Sequence, residues 1–286
     1  MSVSATITRA LSGPIQPPKG VGMNLRLSYL PALRQGPPQV AFWEVIAENL
    51  LGNPRALRQV AALRRDVPIS LHCVGMNLAG TDPLDMDYLA QIEALIDALE
   101  PFQVSDHLCW QRHGGVSHHD LLPFALTQAN ADRVSSRIAA TQEVLERPIA
   151  VENLSYYVEF KASDRGEQEI LAQVAAQTGC GVLLDLNNIE VNAFNLGHDP
   201  SLYLHEGLLE HVVEVHVAGP EKNGELLVDT HGGLPSDFQR RALQTLPQLR
   251  DLPICYERDN KIPPLQESYR EVQRLQTLLD TTREAA

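Results

Sequence analysis

The chain has 286 residues, 44% of them apolar and 21% charged. That is the length of one (β/α)8 barrel, ~250 residues with ordinary insertions, and the composition of a globular protein, not a disordered or collagen-like one. The 23 basic and 36 acidic residues leave a net charge of −13, which disfavours nucleic acid as a partner, because charge-driven binding needs a basic footprint.

In chain order, the strand 21–27 (VGMNLRL) comes first, followed by a weak helix at 28–35 that Pro31 breaks. The strand 40–46 (VAFWEVI) leads to a helix capped by Asn53, with Pro54 at its first position and a stripe of Leu57, Val60, Ala61 and Leu63. The strand 67–73 (VPISLHC) precedes a helix in which Leu89, Ile92, Leu95, Ile96 and Leu99 recur at helical spacing. After the strand 102–108 (FQVSDHL) comes a long connection, 109–128, and a helix carrying Val134, Ile138, Thr141 and Leu145. The strand 147–152 (RPIAVE) and the loop 154–166 lead to a helix at 167–177, stopped at Thr178-Gly179, where glycine suits a left-handed cap. The strand 180–186 (CGVLLDL) is followed by the connection 187–198, and 212–218 (VVEVHVA) by the connection 219–235. A helix at 236–249 opens on Ser236-Asp237, the strand 252–257 (LPICYE) follows, and a last helix at 264–280 carries Leu265, Tyr269, Val272, Leu275 and Leu279.

Strands that are nearly continuous apolar runs are covered on both faces. Their alternation with helices predicts an α/β fold, a (β/α)8 TIM barrel, with a doubly wound open sheet as the runner-up. Without linker or repeat, residues 1–286 are expected to form a single domain, with 1–19 as an N-terminal extension. That extension lacks the apolar segment of a signal peptide, and no run approaches the ~20 apolar residues of a membrane helix. Cys73, Cys109, Cys180 and Cys255 form no CxxC pair, so neither a disulfide framework nor a zinc ribbon is expected, and a cytoplasmic location is.

Active sites of barrels lie at the C-terminal ends of the strands, where long loops also gather. Six consecutive strands end in metal-ligand residue types. These are His72, then Asp106-His107, Glu152-Asn153, Asp185 with Asn187 and Asn188 just after, His216, and Glu257 followed by Arg258 and Asp259; VDTHGG adds Asp229 and His231. A lone strand histidine is more often a hydrogen-bonded core residue, and a lone acid often a cap. So many acids and imidazoles at one rim are hard to satisfy without cations. Imidazole with carboxylate and no thiolate favours Fe, Mn or Zn. The ligand count exceeds one ion, and Glu152, on a central strand, is the candidate bridge. Asp106, Asn153 and Arg258 are candidates to orient ligands or substrate, with Glu48 and Asn49 in a similar part. Cys73 and Cys109 flank the presumed ligands and read as buried, inert thiols. His113, His118, His119, His198, His205 and His211 fall outside the pattern and are expected at the surface.

The ordered motifs FWEVIAENL, SLHCVGMNL, VSDHLCW, VENLSYY, LLDLNNIEVNAFN, EVHVAG, VDTHG and YERD resemble the DUF692 family, the multinuclear non-heme iron-dependent oxidative enzymes. The resemblance runs from about Gly22 to about Glu267. It implies a barrel similar to xylose isomerase and endonuclease IV that holds two or three irons. By this resemblance His72, His107 and Glu152 would hold one iron, and Glu152, Asp185, His216 and Glu257 a second. Asn188, Asp229 and His231 would hold a third, weaker one. Asn188 departs from the endonuclease IV pattern, which has histidine there; a neutral amide is the poorer ligand. The resemblance further implies Fe(II)/Fe(III) chemistry with O2 as co-substrate, on a cysteine, aspartate or other residue of a ribosomally made precursor peptide. It also implies a leader-binding companion, expected on a separate polypeptide.

A zinc-dependent hydrolase or phosphodiesterase on the same barrel is the alternative, disfavoured by the net charge and Asn188. A sugar isomerase would need a lysine at the site, and none of Lys19, Lys161, Lys222 and Lys261 is placed within a barrel strand.

Overall fold

The computed structural model describes residues 16–34, 36 and 38–284, so most of the 1–19 extension lies outside the described residues. Twelve strands occur among the described residues: β1 (Gly20–Asn24), β2 (Trp43–Ile46), β3 (Ile69–His72), β4 (Gln103–His107), β5 (Trp110–His113), β6 (Val116–Leu122), β7 (Ala150–Glu152), β8 (Gly181–Asp185), β9 (Val212–Val217), β10 (Gly219–Asn223), β11 (Leu226–Gly233) and β12 (Pro253–Tyr256). Eight of them close a barrel in the order β1-β12-β9-β8-β7-β4-β3-β2, with every pairing parallel. The expected barrel is therefore the observed one.

Alternation along each strand sorts the side chains into two faces. Ile69, Leu71, Val104, Val151, Val182, Leu184 and Val215 join one core with helix residues such as Ile92, Ile138, Ile170 and Leu275. The other face fills the barrel in layers. Phe42, Phe102 and Cys255 pack together at its lower end, and a Cβ on Gly22 would come within 2.6 Å of the Phe42 ring and carbonyl. Above them lie the buried Glu44, Ser70 and Glu214, and then the histidines and acids of the mouth.

Local chemistry sets the helix ends. The side chains of Asn53, Asp85 and Thr127 accept from Ala56, Tyr88 and Asn130 N–H, and Gly179 caps the helix Glu167–Thr178 at φ 69°. Four expectations need correction. Pro31 lies at the start of the short helix Leu30–Leu33, a position whose N–H needs no helical partner. Pro247 divides the segment 236–249 into Asp237–Thr245 and Pro247–Arg250, since proline cannot continue a helix. The connection 187–198 is mostly a helix, Leu186–Leu196, started by Asp185. The connections 109–128 and 219–235 contain the hairpins β5–β6 and β10–β11.

Candidate metal centre

Strand register brings the mouth residues together. His107 pairs with Glu152 and Asp185 with His216 across neighbouring strands. Glu152 lies centrally: its Oε2 is 3.5 Å from His72 Nε2 and 3.3 Å from His107 Nε2, and its Oε1 is 3.8 Å from His216 Nδ1. Glu257 Oε2 lies 3.0 Å from both His216 Nδ1 and His231 Nδ1. His231 Nε2 faces Asp229 Oδ1 at 2.9 Å and Asp185 Oδ2 at 3.4 Å.

Asp229 and His231 reach the mouth on β11 and not on a loop. The hairpin closes on Gly219 against Gly233, where a Cβ on Gly219 would lie 2.5 Å from Gly233 Cα. His231 takes φ 44°, a left-handed conformation that costs a non-glycine residue ~1–3 kcal/mol and tends to occur at functional sites.

The donor atoms fit cations. Three sets have ligand atoms within 4.8 Å of one another: His72, His107 and Glu152; Glu152, Asp185 and His216; Asp185, His231 and Glu257. Glu152 Oε2, Asp185 Oδ2 and Asn188 Oδ1 are buried and make no hydrogen bond, and His216 Nδ1 and His231 Nε2 face the carboxylates of Glu257 and Asp229 without good hydrogen-bond alignment. Buried polar atoms are normally paired, so a convergent group of open ones is chemistry that coordinated cations would satisfy. Asp185 divides its labour: Oδ1 accepts from Asn188 N–H at 2.7 Å, and Oδ2 is left to the cluster. A fourth group, Glu44, His216 and Cys255, is bound to itself: Glu44 accepts from His216 Nε2 at 2.7 Å and from Cys255 Sγ at 3.5 Å.

Burial pushes the Glu152 carboxyl up to about 8 and the His72 imidazole well below its ordinary range, with His107 and His216 adding to the latter. Burial would raise Glu257 too, but the imidazoles of His231 and His216 outweigh it and hold that carboxyl well below the usual range. Above the cluster opens a cavity of about 500 Å³ lined by His72, His107, Glu152, Asn188, Asp229, His231 and Glu257, with Leu121, Tyr156, Tyr157 and Val158 among its walls.

The model of the RiPP precursor modification enzymes MbnB/TglH/ChrH matches residues 20–280. The chain belongs to the MbnB/TglH/ChrH family. A UPF0276 protein from Caulobacter vibrioides is 41% identical over 255 residues, 88% of this chain and 91% of that protein. Among solved structures, a D-tagatose 3-epimerase-like protein superposes with a TM-score of 0.64 at 15% identity, over 93% of this chain and 99% of that one. Endonuclease IV from Thermus thermophilus superposes with a TM-score of 0.60 at 16% identity, over 92% of this chain and 100% of that one. These two likenesses show the fold, a xylose isomerase-like barrel. The resemblance to the iron-dependent oxidative enzymes read in the sequence is to this same family. Family membership and the buried clusters are compatible with a centre of several metal ions.

Within this member of the MbnB/TglH/ChrH family, the residues around the cluster are placed as follows. Asp106 is fully buried, accepts from Met76 and His107 N–H at 2.8 and 2.6 Å, and lies 3.8 Å from His107 Nδ1. Asn153 ties the end of β7 to β8 by bonding Asp185 N–H and C=O at 2.8 and 3.0 Å. The Arg258 guanidinium donates to Lys261 C=O at 2.8 Å, while Asn24 holds its backbone. Asp106, Asn153 and Arg258 thus fix backbone and neighbours, and none of them is among the residues lining the cavity. Glu48 accepts from Val74 N–H and the Tyr88 hydroxyl; Asn49 accepts weakly at its carbonyl from Asn53. Cys73 and Cys109 are buried, and burial pushes both thiols well up. Of the histidines outside the cluster, His113, His118, His119 and His205 are exposed, while His198 and His211 are half-buried.

Sequence reasoning missed several supports. Glu44, in the middle of β2, grips the far nitrogen of His216. Ser105 holds His72 Nδ1 at 2.9 Å, and Asn187 and Ser155 hold the two oxygens of Asp229 at 2.8 and 2.7 Å. A carboxylate inside the apolar run FWEVI was the available signal for Glu44.

Proposed function

We propose that the protein is an iron- and O2-dependent oxidoreductase that modifies a residue of a ribosomally made precursor peptide, cysteine in the first instance and aspartate or another residue otherwise. The support is the convergence of the buried side chains of Glu152, Asp185, Asn188, His216 and His231 at one mouth, where Glu152, Asn188 and His231 line an open cavity, in a chain of a family of RiPP precursor modification enzymes. His72, His107 and Glu152 would hold one ion, Glu152, Asp185, His216 and Glu257 a second, and Asn188, Asp229 and His231 a third. Bound iron supplies one-electron chemistry and open coordination positions for O2 and the substrate group.

The chain's own part is geometric. Glu44 fixes the His216 ring and leaves Nδ1 facing the cluster; Ser105 does the same for His72 with Nε2. Such outer partners set ring orientation and basicity. Asn187 and Ser155 hold Asp229, and Tyr156, Tyr157 and Val158 wall the cavity. The peptide would be presented by a separate leader-binding companion in the cytoplasm; no helix among the described residues is long and apolar enough to cross a membrane.

The test is anaerobic iron loading followed by O2, with candidate precursor peptides and companion proteins from the gene's neighbourhood, read by peptide mass. The reading expects a mass change that needs both iron and O2. An unchanged mass with the companion present counts against oxidation, and tightly held zinc with no response to O2 points instead to hydrolysis.

A further inference from the structure

A second cavity, of about 190 Å³, lies against the metal cavity and shares Pro123, Leu154, Tyr156 and Val158 with it. Phe124 and Leu202 are among its other walls. The two cavities differ in chemistry. Around the metal cavity donor atoms are orphaned. Around the second cavity several of the polar groups are already partnered. Glu167 accepts from Leu154 N–H at 2.9 Å and from the Tyr203 hydroxyl at 2.6 Å. His198 lies 2.9 Å from Glu159, and Arg165 donates to Gln173 at 2.6 Å. What remains for a visitor is chiefly aliphatic and aromatic surface, with Glu159, Arg165 and Asp199 among the walls on the solvent side, so a charged group gains less there than an apolar one.

The rim is unusual as well. Val158 is 60% exposed, Leu202 47% and Phe160 41%, so large apolar side chains stand in water beside the mouth. Contiguous apolar surface at a site entrance marks a place where something docks. A cavity of ~150 Å³ accommodates benzene, so 190 Å³ has room for one side chain the size of leucine, methionine or phenylalanine. An extended peptide advances ~3.3 Å per residue. A residue delivered to the metal cavity therefore brings its neighbours to the shared wall.

We propose that this second cavity is a subsite for an aliphatic or aromatic side chain of the peptide substrate, close in sequence to the residue that is oxidised. The proposal rests on the peptide-modifying reading above. It makes the enzyme read a flanking apolar residue directly, in addition to any leader recognition by a companion.

The probes are synthetic heptapeptides of one scaffold with a central cysteine, whose flanking positions carry leucine, phenylalanine, glycine, aspartate or lysine in turn. Their affinities are measured anaerobically on the iron-loaded full chain and on Val158→Asp and Leu202→Asp, with metal content per chain as the control for folding. The expected result is that leucine or phenylalanine at one flank tightens binding about tenfold or more over aspartate, and that the preference falls below about twofold in the variants. Equal affinities across the series, absence of binding, or a preference unchanged in both variants overturns the proposal. So does loss of companion-protein binding in the variants when the wild type shows no flank preference, because the patch is then a protein-docking surface. Exposing the cysteine peptides to O2 on the same iron-loaded chain, with peptide mass as the readout, separates the two claims. A flank preference that persists while no peptide is oxidised keeps the subsite and removes the oxidation; oxidation without flank preference does the reverse.

Discussion

Two groups of buried carboxyls lie at the mouth end of the barrel, about equally withdrawn from water. Glu167 is 3% exposed, and both its oxygens are occupied, by Leu154 N–H and the Tyr203 hydroxyl. Glu152 and Asp185 are 1% and 0% exposed, and each keeps an oxygen with no hydrogen bond. Burial alone therefore does not separate the two; what sets Glu152 and Asp185 apart is an open oxygen within 3.5 Å of histidine nitrogens. Glu167 is complete within the protein, tying the loop after β7 to Tyr203. Glu152 keeps an open oxygen among the imidazoles of His72 and His107, an arrangement compatible with cations.

That contrast can be tested from either side. The largest effect is expected at Glu152, which touches three histidines. Glu152→Gln should cost at least one bound ion per chain and lower activity more than the ~100-fold that loss of an outer partner brings, as read by elemental analysis and peptide turnover. The next concerns stability. Burial raises Glu167 from 4.5 to about 7, so the folded state binds more protons than the unfolded one between those pH values. Stability must then fall as pH rises through that window, with a full cost of ~3 kcal/mol above it. Glu167→Gln should remove this cost, gaining melting temperature at pH 8 and little at pH 4, with metal content unchanged. A variant that loses stability equally at both pH values would show that the pair with Tyr203 outweighs the burial penalty.

Glu44 sharpens the comparison, because it is a paired acid that serves an unpaired neighbour. Glu44→Ala should weaken metal binding ~10–100-fold, and Glu44→Gln less, because the amide oxygen still accepts from His216. Metal titration against a chelator checks this; equal losses would make charge, not ring orientation, the contribution. The smallest effect is expected at Ser155, one of two supports of Asp229. Ser155→Ala removes one charge-assisted hydrogen bond, ~1.5 kcal/mol or about tenfold in affinity for the ion nearest His231, and should leave the ion at His72 untouched.

Much of this arrangement could be read from the chain. The apolar runs marked all eight barrel strands, and the rule that barrel chemistry sits at strand ends was enough to assemble His72, His107, Glu152, Asp185, His216 and Glu257 from residue order alone. Asn53-Pro54 and Thr178-Gly179 set helix ends by local chemistry. The hairpins were harder: β5 and β6 are irregularly paired, with a register shift between Trp110 and Arg112, which blurs the alternation of a strand. The helix Leu186–Leu196 buries Asn187, Asn188 and Asn192, residues that read as loop by composition. Glu44 escaped because its role depends on His216 across the barrel, 172 positions away in sequence. Pairing of this kind is tertiary and leaves no local periodicity.

Metal content per chain, with Mössbauer spectroscopy on protein produced in iron-rich medium and purified without oxygen, tests the central claim most directly. Two to three irons, including a magnetically coupled pair, are the predicted result. Protein that folds normally but takes up less than one ion, or holds only zinc and stays unchanged on exposure to O2, would contradict it.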